Sequence, residues 1–489
     1  MLDRGPDFDD AARVLGHRRG RCAAREVARG ARFGPRVGRS QAVVIRVGAV
    51  LLQLGILVSL HLSSRWGGES HVPRMMTRIP MRYQPRRRSD QSRWHDEERK
   101  RAELGDSRCV GSRSNRASHV SRALADRVRR LDPLGADALC AQAPTMNASA
   151  DTTALVSALG AIVPGEGEIA AFEEPECLAA MRDLGLFLGS IRRHGVDPVD
   201  ALPAVEWPLL LLGRRTDMVP RDTVYHYGLW NPLGARQRMY TGDPGEDVLI
   251  HSVRVAAPSL ESCLWALEQA LEVSPDDPAL ADLCARAAGH LESVVDSVDF
   301  VREALPPLFF ARVLRPYFQE IAVDGLVYLG PAAAHLPLYL VDHLLWSSDR
   351  ADPDHDRFQH ETARHAPPAA RALFERRDGR ASLARRVIEA LRASGQRAVD
   401  DRASGALQAS AEGICRLFHL LITFRGRHLV LARREYAEEV RLFPAGSGGG
   451  TVELLERILM LTRTCAALAH QPIATTVARP GARRQMRGR

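Results

Sequence analysis

From residue 118 onward apolar side chains return every three or four positions, in segments separated by clusters of Pro, Gly and Asp. That period puts them on one face of a helix, whereas a half-buried strand would alternate them. It predicts helices over 175–194, 258–274, 278–304, 333–347, 383–394, 405–440 and 451–469. One segment departs from the period. IAVDGLVYLG (321–330) alternates about Asp324-Gly325, a pair suited to the positive φ angles of a tight hairpin. Thr451 followed by Glu453 supplies an N-cap and an acidic first turn for the last helix, and Leu454, Leu455, Ile458, Leu459 and Leu461 form its packing face. No repeat period is visible, so the pattern predicts an all-α bundle with at most one small hairpin rather than a solenoid.

The N-terminal quarter reads differently. Residues 1–40 and 82–117 are polar and Arg-rich without a sustained apolar period, so 1–117 is expected to be a basic, mostly disordered extension. Between them Val47 to Leu62 forms an apolar run of 16 residues interrupted by Gln53, Ser59 and His61. A membrane span takes about 20 such residues, so the run is short. Three readings stand for it: a single-pass anchor, a cleaved signal peptide, or a segment foreign to the natural protein, with translation starting at Met75, Met76, Met81 or later. The third is favoured, because the segment carries no folding signal. The charge run at 86–93 lacks interleaved aromatics and reads as a solvated tail, so no nucleic-acid partner is expected.

Charge and cysteine usage narrow the picture. The first 117 residues hold 25 basic and 12 acidic side chains, a net of +13, which leaves −5 for residues 118–489. The basic balance therefore says nothing about partners of the helical part. Lys100 is the only lysine, which excludes Schiff-base and Walker-type chemistry in that part. Cysteines 22, 109, 140, 177, 263, 284, 415 and 465 form no CxxC pair. They read as buried thiols of a reducing compartment, so a cytoplasmic location without membrane attachment is expected. A basic, disordered tail is expected over 476–489.

Chemistry concentrates between Leu417 and Thr451. Leu417, Leu420, Leu421, Phe424, His428 and Leu431 share one helical stripe, which turns the imidazole toward a core. A neutral imidazole in an apolar shell suits a haem iron, and it equally suits a buried histidine bonded to a backbone carbonyl. GSGGGT (446–451) lacks the ending of a phosphate loop and reads either as a turn at a helix N-terminus or as a flexible linker. QHETARH (359–365) imitates a zinc-protease motif, but His360 and His365 are five residues apart and diverge around a helix. DPDHDR (352–357) reads as a solvated loop with a capping role. His226, His335 and His343 are further candidates for a pocket, and Trp230 and Tyr240 for pocket or core.

Tyr436 follows His428 by eight positions, and Gly446-Ser447-Gly448-Gly449 comes soon after. With FRGRHL (424–429) these residues resemble the C-terminal part of the monodechloroaminopyrrolnitrin synthase family. That family catalyses the second step of pyrrolnitrin biosynthesis and belongs to the haem-containing tryptophan and indoleamine dioxygenase superfamily. AMRDLGLFLGSIRRHG (180–195), LWNP (229–232), RMYTGDP (238–244), LRPYF (314–318) and YLGPAAAHLPLYLVDHLLW (328–346) resemble the same family in the same order. The resemblance spans about 118–475, and the set is more specific than any one motif.

The resemblance implies a fold, a cofactor and roles. The fold is a multi-helix bundle of the indoleamine/tryptophan dioxygenase type, with 118–475 as a haem-binding catalytic domain. The cofactor is haem b, its iron held by His428, with an open face that meets an indole substrate and dioxygen; an electron donor is also conceivable. Tyr436 and Ser447 match polar residues of the family's substrate side and are the candidate catalytic groups. The synthase rearranges tryptophan or 7-chlorotryptophan to an aminophenylpyrrole, opening the indole ring, joining the amine to C2 and losing the carboxylate. A 2,3-dioxygenase would instead give a kynurenine-type product. No counterpart of the distal-histidine helix of tryptophan dioxygenase is visible, which counts against that alternative. A third reading is a helical protein that binds haem or a partner without turnover.

Overall fold

The computed structural model describes residues 114–394, 401–435, 437 and 442–477. Residues 1–113, with the apolar run at 47–62, and residues 478–489 lie outside the described residues, while a helix, Ser114–Arg130, begins within the last four residues of the extension expected to be disordered. Four long helices dominate: α1 (Pro244–Glu272), α2 (Pro278–Ala304), α3 (Asp401–Glu435) and α4 (Val452–Val477). Helix α2 packs along both α1 and α3, and α3 packs along α4. Leu260 and Leu267 of α1, Leu280 and Leu291 of α2, and Leu417 and Leu421 of α3 meet in one buried cluster. Gly413 lets α3 come close to α2, since a Cβ there would sit 2.7 Å from the Cβ of Cys284. Outside the core, Arg416 bonds Glu292 at 2.6 Å and Arg433 bonds Glu456 at 2.6 Å, tying α3 to α2 and to α4.

Helix α1 begins well before the expected position 258. Asp243 caps it by accepting from the Gly245 N–H at 2.7 Å, with Pro244 in the first turn. Pro258, which reads as a start signal, lies inside the helix. It removes one backbone hydrogen bond. Burial of Val253, Ala256, Ala257 and Leu260 on either side keeps the helix whole. The 333–347 segment departs in the other direction. It is broken into a turn at Ala333–His335, a short helix at Leu338–Asp342 and a wider turn at His343–Ser347, because Pro337 cannot continue the first turn. Residues of DPDHDR also differ from expectation. Asp352 accepts from the His355 N–H at 3.1 Å and so caps the helix Pro353–Arg364, which takes the place of the expected loop.

A second layer is centred on the helix Glu174–Arg193, which is buried along nearly its whole length. The Glu173 N–H donates to the Glu176 carboxylate at 2.7 Å at its start. Asp183, fully buried, accepts from Arg182 Nε and from Arg238 Nε, each at 2.8 Å. Arg238 also reaches Asp137 at 2.6 Å. Asn231 donates to the carbonyls of Tyr227 and Arg238 and accepts from the Arg238 N–H, all at 2.8 Å. Glu246 accepts from the N–H groups of Tyr240 and Thr241 at 2.7 Å. These charges are tolerable inside the protein because each is bonded; removing one partner of such a pair costs about 3–5 kcal/mol. Three of the recognisable motifs, at 180–195, 229–232 and 238–244, are thus the parts of this one network, and they hold the start of α1 in place.

The expected hairpin is present. Ile321–Val323 pairs antiparallel with Leu326–Tyr328, and Asp324 and Gly325 have φ of 50° and 69°. Buried Arg221 donates to the carbonyls of Gln319 and Tyr328 at 3.1 and 3.0 Å, fixing it to the second layer. Among the described residues no helix is long and apolar enough to cross a membrane.

Candidate active site

The apolar stripe of α3 divides into two parts. Leu417, Leu420 and Leu421 are buried in the core. Below them Phe424, Arg425, His428, Leu431, Ala432 and Glu435 line a cavity of about 240 Å³. Helices α1 and α2 supply mainly aliphatic walls, through residues such as Val253, Ala256, Val294 and Val301. Further walls come from the 333–342 segment, from the 444–452 turn and from Phe310, Phe318, Phe358, Leu455 and Ile458. The imidazole therefore enters a cavity rather than a packed core.

His428 makes no hydrogen bond to any described residue; its ring lies 5.8 Å from that of Phe424. Burial, with a smaller contribution from the neighbouring Arg425 charge, lowers its pKa to about 4. The ring is then neutral at pH 7 with a nitrogen lone pair free to bind, unlike the carbonyl-bonded histidine that the sequence also allowed. Arg425 donates to the carboxylate of Asp342 and to the hydroxyl of Thr462, and Asp342 also accepts from Trp346 Nε1 at 2.9 Å. That wall of the cavity is polar but carries no uncompensated charge. Glu435 is different. It has no hydrogen-bond or ion-pair partner among the described residues, and burial alone raises its pKa to about 8.

Ser447 lines the same cavity. Its turn is docked, which argues against a loose linker. The Gly446 N–H donates to the Gly450 carbonyl at 2.8 Å and the Gly449 N–H to the Gly446 carbonyl at 3.0 Å. Gly449 takes φ of 78°, and a Cβ on Gly448 would lie 2.6 Å from the Cβ of Ala334. Thr451 Oγ1 accepts from the Leu454 N–H at 3.3 Å, the expected cap of α4.

Tyr436 lies outside the described residues. His226, His335, His343, Trp230 and Tyr240 do not line the cavity. His226 Nδ1 accepts from the Thr223 N–H at 3.0 Å, with its ring edge-on to Trp230 at 4.8 Å. His335 stacks on His365 at 4.5 Å, His343 lies 4.3 Å from Phe374, and Tyr240 stacks on Tyr317 at 4.6 Å. His360 Nδ1 bonds the Asp356 carbonyl at 2.8 Å while His365 turns to His335, so the two histidines of QHETARH face different neighbours. Among the described residues no three His, Cys, Asp or Glu side chains are grouped to hold a metal. The described cysteines are free, and burial raises the pKa of Cys415 to about 11. Sequence reasoning missed Arg425, Glu435 and Asp342. The first two had a visible signal, a charge at either end of an apolar face. Asp342 had none, because its partner is 83 residues away.

An apolar cavity among helices with a few convergent polar groups is the form that small-molecule sites take in helical proteins, and the fold and cavity define an all-α protein with a largely apolar candidate site for a small molecule. The family model for monodechloroaminopyrrolnitrin synthase PrnB matches residues 156–480, a stretch that includes every wall of the cavity. The chain belongs to that family, and with it to the tryptophan-converting enzymes of pyrrolnitrin biosynthesis.

Proposed function

We propose that this chain binds haem b through His428 and rearranges tryptophan or 7-chlorotryptophan to an aminophenylpyrrole at the cavity that His428 lines, with residues 118–475 as the catalytic domain. The observation that carries the reading is the cavity-facing imidazole of His428, neutral and without a hydrogen bond. A metal ligand must have its nitrogen lone pair free, and burial of this ring keeps it so at neutral pH. The apolar walls suit a macrocycle and an indole alike, and the bonded Arg425 and Asp342 pair adds polarity without a competing free charge. Haem, when bound, supplies the redox chemistry with dioxygen that the side chains of this protein do not.

The protein's own part is to orient the indole, exclude water and handle protons. The aliphatic residues of α1 and α2 hold the ring by contact and displace water from its faces. Ser447, on its docked turn, presents a hydroxyl to the cavity that can accept from or donate to a substrate N–H or carboxylate. Tyr436 would add a second hydroxyl by the family resemblance. A polar atom held at the ring edge in this way decides which substrate atom meets the reacting centre.

The test is the absorption spectrum of haem-supplied protein, ferric and then ferrous with carbon monoxide, beside His428→Ala. A stoichiometric histidine-ligated spectrum that the substitution removes supports the reading. Full haem retention and turnover by His428→Ala overturns it. Mass spectrometry of the product from tryptophan then separates loss of carbon dioxide, the proposed outcome, from gain of two oxygen atoms, the dioxygenase outcome.

A further inference from the structure

Glu435 is 7% exposed and lines the cavity that His428 enters. Seven residues separate the two on α3, so they point the same way, two turns or roughly 10 Å apart along the helix. Nothing among the described residues neutralises the carboxylate. Arg425, the charged neighbour on the same face, is committed to Asp342 and Thr462. Burial disfavours the charged carboxylate, so the acid is neutral in the ligand-free protein at neutral pH, and a ligand that brings positive charge and N–H donors into the cavity favours its ionised form.

A tryptophan-type substrate has one such group, its ammonium. Resting on the proposed function, we propose that Glu435 binds the substrate's ammonium group by a charge-assisted hydrogen bond and so selects amino acids over indoles that lack the amine. The contact fixes one end of the side chain while the aliphatic walls hold the ring. It therefore makes Glu435 a recognition residue for the known substrate class. The burial that raises its pKa is reversed by the incoming cation, so the acid gives up its proton as the ligand binds.

Isothermal titration of the ferric, haem-loaded full chain with L-tryptophan and with indole-3-propionate tests this, using wild type, Glu435→Gln and Glu435→Asp. Glu435→Gln keeps the shape of the side chain and removes the charge. It is expected to weaken tryptophan binding roughly 10- to 100-fold, the worth of one hydrogen bond to a charged group, and to leave indole-3-propionate unchanged. Glu435→Asp should retain part of the preference. Unchanged tryptophan affinity in Glu435→Gln, or equal weakening of both ligands, overturns the proposal and leaves the indole site standing. Failure of both ligands to bind wild type overturns the indole reading itself and the proposal with it.

Discussion

Arg425 and Asp342 form a buried ion pair in the wall of the cavity, one turn of α3 before His428, and the Thr462 hydroxyl of α4 completes it. The pair joins α3, α4 and the 338–342 helix at the level of the candidate ligand. Arg425→Met should destabilise the protein by about 3–5 kcal/mol, because Asp342 would keep only the Trp346 N–H. Adding Asp342→Leu should restore most of that loss. Urea unfolding of the single and double variants checks it; a double variant as unstable as the sum of the singles would refute the pairing argument.

Gly448 is held against Ala334 with no space for a side chain. The Cβ of Ala334 is fixed to its backbone, so Gly448→Ala must displace the turn, at a cost of about 1–3 kcal/mol. Gly450→Ala is the control, since its Cβ would meet its nearest side-chain atoms at 3.7 Å. The first variant should lower the melting temperature and the catalytic rate, the second neither. Equal behaviour of the two would mean that the docking of the turn does not matter.

Ser447→Ala should retain haem and fold normally while forming less product, because it removes a hydroxyl from the cavity and nothing from the histidine. Measuring Soret absorbance and product yield on the same sample separates the two. A rate equal to wild type would show that the hydroxyl has no part in the reaction.

The stacked His335 and His365 make the fold acid-sensitive. Burial, followed by mutual repulsion and Arg221, lowers the pKa of His335; burial also lowers that of His365, against the opposing pull of Glu361 and with a further push from Arg221 and Arg364. Below about pH 6.5 the unfolded chain binds protons that the folded one refuses, so stability falls as pH drops. His226, His343 and His428, with pKa near 3, 4 and 4, add to the same slope. Chemical unfolding at pH 7 and pH 5 should show the loss, and His335→Leu should make it smaller. An unchanged slope in that variant would show that His335 takes up its proton in the folded protein as readily as in the unfolded chain.

Glu435 has the opposite sign. Its pKa of about 8 lies above the ordinary value, so the folded state binds more protons, and stability is lost as pH rises from about 4.5 through 8. Glu435→Gln should therefore stabilise the ligand-free protein at pH 9 by a few kcal/mol, on the order expected for a buried unpaired charge. A neutral or destabilising effect at pH 9 would mean that the carboxylate has a partner in solution.

Local patterns made several of these features readable in the chain. The apolar period of 405–440 marked α3, the Asp324-Gly325 pair marked the hairpin, and Thr451 marked the start of α4, because each depends on residues within one or two turns of one another. His428 and Ser447 both line one cavity, the first marked by its stripe and the second by the family resemblance. Pro258 misled for the same reason: its local effect is to start or break a helix, and only the burial of both flanks shows why the helix continues.

The sequence by itself determined the helical class, the face on which His428 stands and the turn that carries Ser447. It did not determine that the stripe would open into a cavity below Leu421, that Asp342 would neutralise Arg425 from 83 residues away, or that Glu435 would be left without a partner among the described residues. Helix faces follow from the spacing of neighbouring residues, whereas a void, an ion pair or an unpaired charge is a property of surfaces brought together by the folded chain.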